Sequence, residues 1–175
     1  MSFVPKVLIL DVDGVLTDGA FYYSESGKVM KRFGADDHDA IVLLKRFIPV
    51  HVITGDKRGM PITRRRVVDD MKLPLDLVST LHRVDWIAER WPLESVVYMG
   101  DGIFDAVVFR AVGYAIATGD GDPLARREAD YVTERRGGER AVAEACLHLL
   151  ERFFEPFDLF RHRAEAGPTA GGEAV

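Results

Sequence analysis

Acidic residues that could do chemistry stand in two short segments of the chain. Asp11 and Asp13 lie two residues apart in the first segment, and Asp101 and Asp105 lie four residues apart in the second. Carboxylates that gather in one place repel one another unless a cation lies among them. A hard divalent cation with oxygen ligands, above all Mg²⁺, suits such a set. We therefore predict a magnesium site at these four residues.

The first pair of acids also has the residue types that phosphoryl transfer needs. Asp11 can attack phosphorus and form an aspartyl-phosphate, which splits one difficult displacement into two easier ones. Asp13 can protonate the leaving oxygen and then take a proton from the attacking water. The alternative is a simple turn, because Asp-Gly is a common turn pair. Thr54 and the amide of Gly55 could hold the phosphoryl oxygens.

Short apolar segments come directly before these polar residues. Residues 7–10 end at Asp11, residues 50–53 end before Thr54, and residues 95–99 precede the second acidic segment. Short, largely apolar runs of this kind are typical of strands buried on both faces. They alternate with segments of helical spacing, which predicts an α/β fold with a doubly wound, mostly parallel, Rossmann-like sheet. Ligands bind beyond the carboxyl ends of such strands, so the polar residues should converge on one rim.

The remaining elements follow from the same patterns. Two β-prone arms around a Ser-Gly turn predict a β-hairpin over residues 21–33. Further strands are predicted at residues 75–78, 114–117 and 131–133, and helices at residues 37–46, 61–71, 83–91, 103–112 and 139–154. We expect a single domain over residues 1–160 and a flexible tail over residues 161–175, because the tail is small and polar.

Composition limits the classes of partner. The chain has 175 residues and a net charge of -5, so it offers no basic surface for nucleic acid or anionic membranes. One cysteine, Cys146, allows no intrachain disulfide, and no signal peptide or membrane-spanning run is visible. These features predict a cytoplasmic protein whose partner is a small phosphorylated molecule.

Three motifs together resemble those of a known superfamily. Residues 11–19, 52–55 and 100–105 resemble the first, second and fourth motifs of the haloacid dehalogenase superfamily, in the same order and at similar spacing. Residues 31–33 and 129–133 extend the likeness to the small phosphatases of 3-deoxy-D-manno-octulosonate 8-phosphate and related sugar acids. The resemblance covers roughly residues 6–152.

The resemblance implies a ligand set and an assembly. Mg²⁺ would be held by Asp11, by the backbone carbonyl of Asp13 and by Asp101, with Asp105 close by. The core would carry no cap domain. The resemblance also implies a homotetramer in which hairpins pack together and neighbouring subunits help to close each active site. Residues 153–160 are a candidate contact between subunits.

The sequence departs from the resembled pattern at two places. The third motif normally supplies a lysine that pairs with the nucleophile, and Arg83 is the nearest cation to that position, with Lys57 as a possible substitute. In the loop 34–40, Asp36 stands where an arginine would hold a sugar carboxylate. The residues predicted to contact the substrate are Gly55, Asp37, His38, Lys57 and Arg58; a substrate carboxylate could also be held by Arg135, Arg136 or Arg140.

These observations predict a magnesium-dependent phosphatase of a sugar-phosphate monoester, of ulosonate type or related. One alternative is a phosphatase of a different phosphorylated metabolite in a secondary pathway. Another is a weakly active oligomerisation module of the kind associated with sugar-acid cytidylyltransferases. The missing lysine favours that module, whereas the complete set of acids favours the enzyme.

Overall fold

The computed structural model describes residues 3–158, 160 and 161. The strands are β1 (Val7–Asp11), β2 (Tyr22–Ser24), β3 (Gly27–Met30), β4 (Val50–Thr54), β5 (Leu75–Leu77), β6 (Val96–Gly100), β7 (Tyr114–Ala117) and β8 (Tyr131–Val132). The α-helices are α1 (Asp36–Leu44), α2 (Met60–Arg64), α3 (Arg83–Ala88), α4 (Asp105–Phe109), α5 (Pro123–Glu128) and α6 (Ala141–Phe153). Shorter helical turns cover Val12–Leu16, Arg65–Asp70, Thr80–His82 and Leu93–Ser95.

Six strands form one sheet in the order β5-β4-β1-β6-β7-β8, and every neighbouring pair is parallel. After β1 the chain adds β4 and β5 on one side and then β6, β7 and β8 on the other. The strand order therefore reverses beside β1. The crevice at such a reversal, outside the carboxyl ends of the strands, is where open α/β sheets bind ligands.

The central strand is buried on both faces, as its unbroken apolar run predicts. Leu8 and Leu10 pack into a core with residues of α1 and α6, whereas Val7 and Ile9 pack on the opposite face with residues of α3, α4 and α5. Successive side chains of a strand point to opposite faces, so an all-apolar strand needs a layer of helices on each side. The doubly wound arrangement predicted from the sequence is confirmed.

The predicted hairpin is present as a separate antiparallel pair, β2 and β3. Its two-residue turn falls at residues 25–26, one position before the predicted Ser-Gly turn. The hairpin displays large apolar side chains that are about half exposed: Phe21, Tyr22, Tyr23, Val29 and Met30. From the hairpin the chain enters α1 and then β4, and the described residues include no cap domain above the strand ends.

The predicted helices begin or end at somewhat different residues in the structure, and two of these differences bear on local geometry. The helix expected from residue 103 begins at Asp105, because the Asp105 carboxylate accepts from the backbone amides of Asp101 and Gly102 and holds the preceding residues in a turn. The helix expected over residues 61–71 is divided into α2 and the turn Arg65–Asp70, and Lys72 follows with a positive φ of 56°. Residues 162–175, most of the predicted tail, lie outside the described residues.

Among the residues that the structure describes, no helix is both long and apolar enough to cross a membrane. Cys146 lies in α6 and is fully buried, and burial raises the pKa of its thiol. It is therefore an apolar core residue, as the surrounding sequence predicts.

Candidate active site

The carboxyl ends of β1, β4 and β6 carry the polar residues singled out in the sequence. Asp11 is the last residue of β1, Thr54 is the last residue of β4, and Asp101 follows the last residue of β6. Because the three strands are parallel neighbours, their ends meet at one edge of the sheet. The structure thus brings these residues together on a single rim.

A tight turn follows Asp11 and sets the shape of the rim. Gly14 has a φ of 86°, and a Cβ at this position would overlap the carboxylate of Asp101. The hydroxyl oxygen of Thr17 accepts from the amides of Gly14 and Gly19, both at 3.3 Å. A glycine is therefore required at position 14, both for the backbone conformation and for the close approach of Asp101.

Arg83 reaches the rim from the start of α3 and binds the carboxylate of Asp11 with both terminal nitrogens. One nitrogen lies 3.0 Å from Oδ2 of Asp11, and the other lies 3.0 Å from Oδ1. Arg83 is 2% exposed and Asp11 is 6% exposed, so the pair is buried. The planar guanidinium matches a carboxylate in this two-point manner, which an ammonium group cannot do.

Asp105 has all of its acceptor capacity in use. Its Oδ1 accepts from Arg83 and from the hydroxyl of Tyr98 at 2.7 Å, and its Oδ2 accepts from the amides of Asp101 and Gly102 at 3.0 and 2.9 Å. Arg83 also donates to the Tyr98 hydroxyl at 2.7 Å. With four donors already bound, Asp105 is placed to orient the loop that carries Asp101.

Three carboxylates of the rim lie close together, and Asp11 and Asp101 are the two available to hold a metal ion, because Asp105 already binds four donors. Oxygens of Asp11, Asp101 and Asp105 all lie within 4.8 Å of one another. Burial, with the negative charges of Asp11 and Asp105, raises the pKa of Asp101 to about 8. Burial also raises the pKa of Asp11 to about 7, although Arg83 acts in the opposite direction. An all-oxygen set whose charges are this unfavourable without a cation fits Mg²⁺.

The carboxylate of Asp13 is not part of this set and contacts a different cation. Nζ of Lys31 lies 2.7 Å from its Oδ1, and the hydroxyl of Thr54 donates to its Oδ2 at 3.5 Å. Asp13 was predicted as a metal ligand through its backbone carbonyl, which leaves the side chain available for other work. Both the carbonyl ligand and the acid/base role stay predictions.

The loop after β4 holds three of the residues predicted to contact a substrate. Gly55, Lys57 and Arg58 are exposed there, next to Thr54 at the rim. The contacts described for the Asp11 carboxylate are with Arg83 and the amide of Val12, and Lys57 is not among them.

The remaining two predicted substrate contacts lie in α1. His38 is half-buried there. Asp37 is 1% exposed, and its carboxylate accepts from the amide of Ala143 at 2.9 Å. Asp37 thus binds the first turn of α6 and not the open rim, since an unpaired amide at a helix start favours a carboxylate partner. The sequence could not separate this role from substrate binding.

Arginines near the start of α6 surround a neighbouring cavity of about 610 Å³. Arg140 forms an ion pair with Asp36, the acid that stands at the resembled arginine position. Arg136 lies 3.5 Å from Asp120, whose carboxylate also accepts from the amide of Gly137 at 3.0 Å. Asp36 therefore has a cationic partner within the chain.

Sequence reasoning missed two residues of the site, Tyr98 and Lys31. Tyr98 is fully buried in β6, and a buried tyrosine hydroxyl usually finds a hydrogen-bond partner. Its position within a predicted buried strand, shortly before Asp101, could therefore have identified it. Lys31 reaches Asp13 through the tertiary fold, which also brings its ammonium group to Thr63 of α2. No local pattern in the sequence encodes that contact.

Comparisons with known proteins agree on one kind of protein. No protein-family model matches the chain. The 3-deoxy-D-manno-octulosonate 8-phosphate phosphatase KdsC of Salmonella typhi is 36% identical over 148 residues, which cover 83% of this chain and 79% of that protein.

Solved structures give the same result. The cobalt-bound deoxy-D-mannose-octulosonate 8-phosphate phosphatase of Haemophilus influenzae has a TM-score of 0.75 at 31% identity, over 84% of this chain and 88% of that one. The 3-deoxy-D-manno-octulosonate 8-phosphate phosphatase of Moraxella catarrhalis, in complex with magnesium, phosphate and KDO, has a TM-score of 0.78 at 26% identity. That match covers 91% of this chain and 93% of the other.

Proposed function

The chain belongs to the 3-deoxy-D-manno-octulosonate 8-phosphate phosphatase family of the haloacid dehalogenase superfamily, and we propose that it hydrolyses a sugar-phosphate monoester with Asp11 as nucleophile. It is a phosphoric monoester hydrolase. The observation that carries the proposed nucleophile is the position of Asp11 at the end of the central strand, where Arg83 binds it and two further carboxylates surround it.

In the first half of the reaction an oxygen of Asp11 attacks phosphorus and the bond to the leaving oxygen breaks. Arg83 holds the carboxylate in one orientation. Oδ1 also accepts from the amide of Val12 at 2.7 Å, so Oδ2 is the oxygen that keeps a lone pair for attack. The amide of Gly55 and the hydroxyl of Thr54 lie at the next strand end, where they can bind phosphoryl oxygens. The product of this step is an aspartyl-phosphate on Asp11.

Asp13 transfers a proton in both halves of the reaction. It gives a proton to the leaving oxygen, and then takes one from the water that attacks the aspartyl-phosphate. Its side chain is 19% exposed, in contrast to the buried carboxylate of Asp11. A group that must exchange protons with substrate and water needs this access.

Asp11 and Asp101 are the residues that would hold Mg²⁺, with Asp105 orienting the Asp101 loop. When bound, the ion supplies positive charge that offsets the charge of the phosphoryl oxygens. The magnesium-bound relative from Moraxella catarrhalis supports this cofactor.

The substrate is a sugar phosphate of the ulosonate kind or related. The names of the relatives support an octulosonate 8-phosphate, whereas the Asp36–Arg140 pair places an anion where the resemblance implies a cation. Arg58, Arg135 and Arg136 are exposed and are the candidates for binding a substrate carboxylate.

A homotetramer fits the exposed apolar side chains of the hairpin. Tyr23, Val29 and Met30 are each at least half exposed on a two-stranded sheet, and large exposed apolar patches mark interaction sites. An open rim without a cap also benefits from a neighbouring subunit. A cytoplasmic location is proposed with it, because the single cysteine forms no disulfide.

Phosphate release tests the proposed function. Wild-type protein and Asp11→Asn are incubated with p-nitrophenyl phosphate and a panel of sugar phosphates, with Mg²⁺ and with EDTA. We expect release only from the wild type with Mg²⁺. Release that is no greater than that of Asp11→Asn for every substrate would favour the non-catalytic oligomerisation module.

A further inference from the structure

Lys31 places a buried ammonium group among polar side chains from three parts of the chain. Its side chain is 0% exposed. Nζ lies 2.7 Å from Oδ1 and 3.0 Å from Oδ2 of Asp13, 2.8 Å from Oδ2 of Asp56, and donates to the hydroxyl of Thr63 at 3.0 Å. An ammonium group has three donors, and three residues take them.

Two of these partners are fixed independently of Asp13. Thr63 is fully buried in α2. The carboxylate of Asp56 accepts from the amide of Gly59 at 3.0 Å and from Lys28, and these hydrogen bonds, with those from Lys31, lower its pKa to about 2 despite burial. Lys31 is therefore held in place by α2 and by the loop after β4, whatever Asp13 does.

The contact with Lys31 fixes the orientation of the Asp13 carboxylate. Nζ of Lys31 lies within 3.0 Å of both oxygens, whereas the hydroxyl of Thr54 touches only one, at 3.5 Å. A proton donor is effective only when its oxygen lies within hydrogen-bond reach of the reacting atom. A small rotation of the carboxylate would break that geometry.

We propose that Lys31 is a positioning residue that holds the Asp13 carboxylate in the orientation needed for proton transfer. This role rests on the acid/base function proposed for Asp13. Lys31 follows directly after β3, so the hairpin that displays the exposed apolar side chains also supplies the group that orients the acid. Lys31 therefore couples the position of the hairpin to that of the Asp13 carboxylate.

The dependence on the leaving group tests the proposal. A sugar alkoxide is a poor leaving group and needs a proton, whereas p-nitrophenolate leaves with little assistance. General acid catalysis contributes typically about 10² to 10⁴ in rate, so we expect Lys31→Met to lower kcat/KM about 10²-fold for the best sugar phosphate. For p-nitrophenyl phosphate the loss should be about tenfold or less, since kcat/KM reports formation of the aspartyl-phosphate and less of the rate depends on the proton.

Lys28→Met is the matched control. Lys28 also comes from β3, pairs with Asp56 and packs on the ring of Phe21, and the contacts described for it do not include Asp13. We expect this variant to change both substrates by the same factor. Thr63→Val removes one anchor of Lys31 without touching Asp13, and should give a smaller change of the same kind as Lys31→Met; it carries the test if Lys31→Met does not fold.

If kcat/KM fell by the same factor for both substrates in Lys31→Met and in Thr63→Val, the positioning role would be overturned. The proposed phosphatase function would not be affected by that result. Failure of the proposed function is a separate result, because wild-type protein would then release no more phosphate than Asp11→Asn from either substrate. In that case the positioning role falls with it.

Discussion

Arg83 and Lys31 are two buried cations that bind neighbouring acids in different ways. Arg83 starts a helix of the core and binds Asp11 and Asp105 with a planar fork. Lys31 comes from the hairpin and binds Asp13 as a compact charge shared with Asp56. The rigid arginine holds the carboxylate that must be aligned with phosphorus, and the lysine orients one that must exchange protons.

We expect the largest difference between Arg83 and Lys31 in the free energy of unfolding that is lost when each is replaced. Removal of one partner of a buried ion pair typically costs about 3 to 5 kcal/mol, and we expect Arg83→Met to lower the free energy of unfolding by about this amount in EDTA. Lys31→Met should cost less, about 1 to 3 kcal/mol, because Asp13 is partly exposed and Lys28 remains beside Asp56. Urea unfolding at pH 8 provides both values. A larger cost for Lys31→Met would reverse the comparison.

The acids beside Arg83 should make the metal-free protein sensitive to pH. The pKa of Asp101 is raised to about 8 by burial, so the folded state binds a proton that the unfolded state has already lost above pH of about 4. Stability in EDTA should therefore fall as the pH rises from about 4 to about 8.

Mg²⁺ should reverse this trend. The ion favours the ionised carboxylates, so the increase in Tm that it produces should grow with pH over the same window. Differential scanning fluorimetry with EDTA and with Mg²⁺ measures this. A Mg²⁺-induced increase that stays constant or shrinks toward pH 8 would contradict the metal set. Asp101→Asn should weaken the pH dependence, and the part that remains should come from Asp11, whose pKa burial raises to about 7.

Of Arg83, Lys31 and Tyr98, we expect Tyr98 to contribute least to the free energy of unfolding. Tyr98→Phe removes one donor from Asp105 and one acceptor from Arg83, which we expect to cost about 1 to 2 kcal/mol of stability. Because Asp105 orients the Asp101 loop, the Mg²⁺ concentration for half activity should rise about tenfold.

Tyr114→Phe is the control for that change. The Tyr114 hydroxyl bonds His148. Tyr114 is the first residue of β7, at the end of the strand away from the rim, and it belongs to the other core cluster from Tyr98. We expect a loss of stability without a change in the Mg²⁺ requirement. Equal shifts in that requirement for both variants would mean that Tyr98 has no particular effect on the metal set.

Much of the rim could be predicted because local patterns encode it. An apolar run that ends in an acid places Asp11 at a strand end, and parallel strands bring Thr54 and Asp101 to the same edge. These inferences need only periodicity and topology. The general convergence of the site follows from them.

Contacts that depend on tertiary packing could not be predicted. Asp37 carries the same charge as the acids of the rim, and only the approach of α6 shows that it binds the amide of Ala143. Lys31 reaches Asp13 through the fold of the hairpin. Arg83 was found from its place near a motif, but its two-point contact with Asp11 depends on the start of α3.

Covalent trapping tests directly whether Asp11 carries the phosphoryl group. Wild-type protein turning over its best substrate with Mg²⁺ is quenched and treated with borohydride, which reduces an acyl phosphate, and the peptides are analysed by mass spectrometry. We expect homoserine in place of Asp11 and no turnover by folded Asp11→Asn. Reduction at a different residue, or turnover by Asp11→Asn within about tenfold of the wild type, would contradict it.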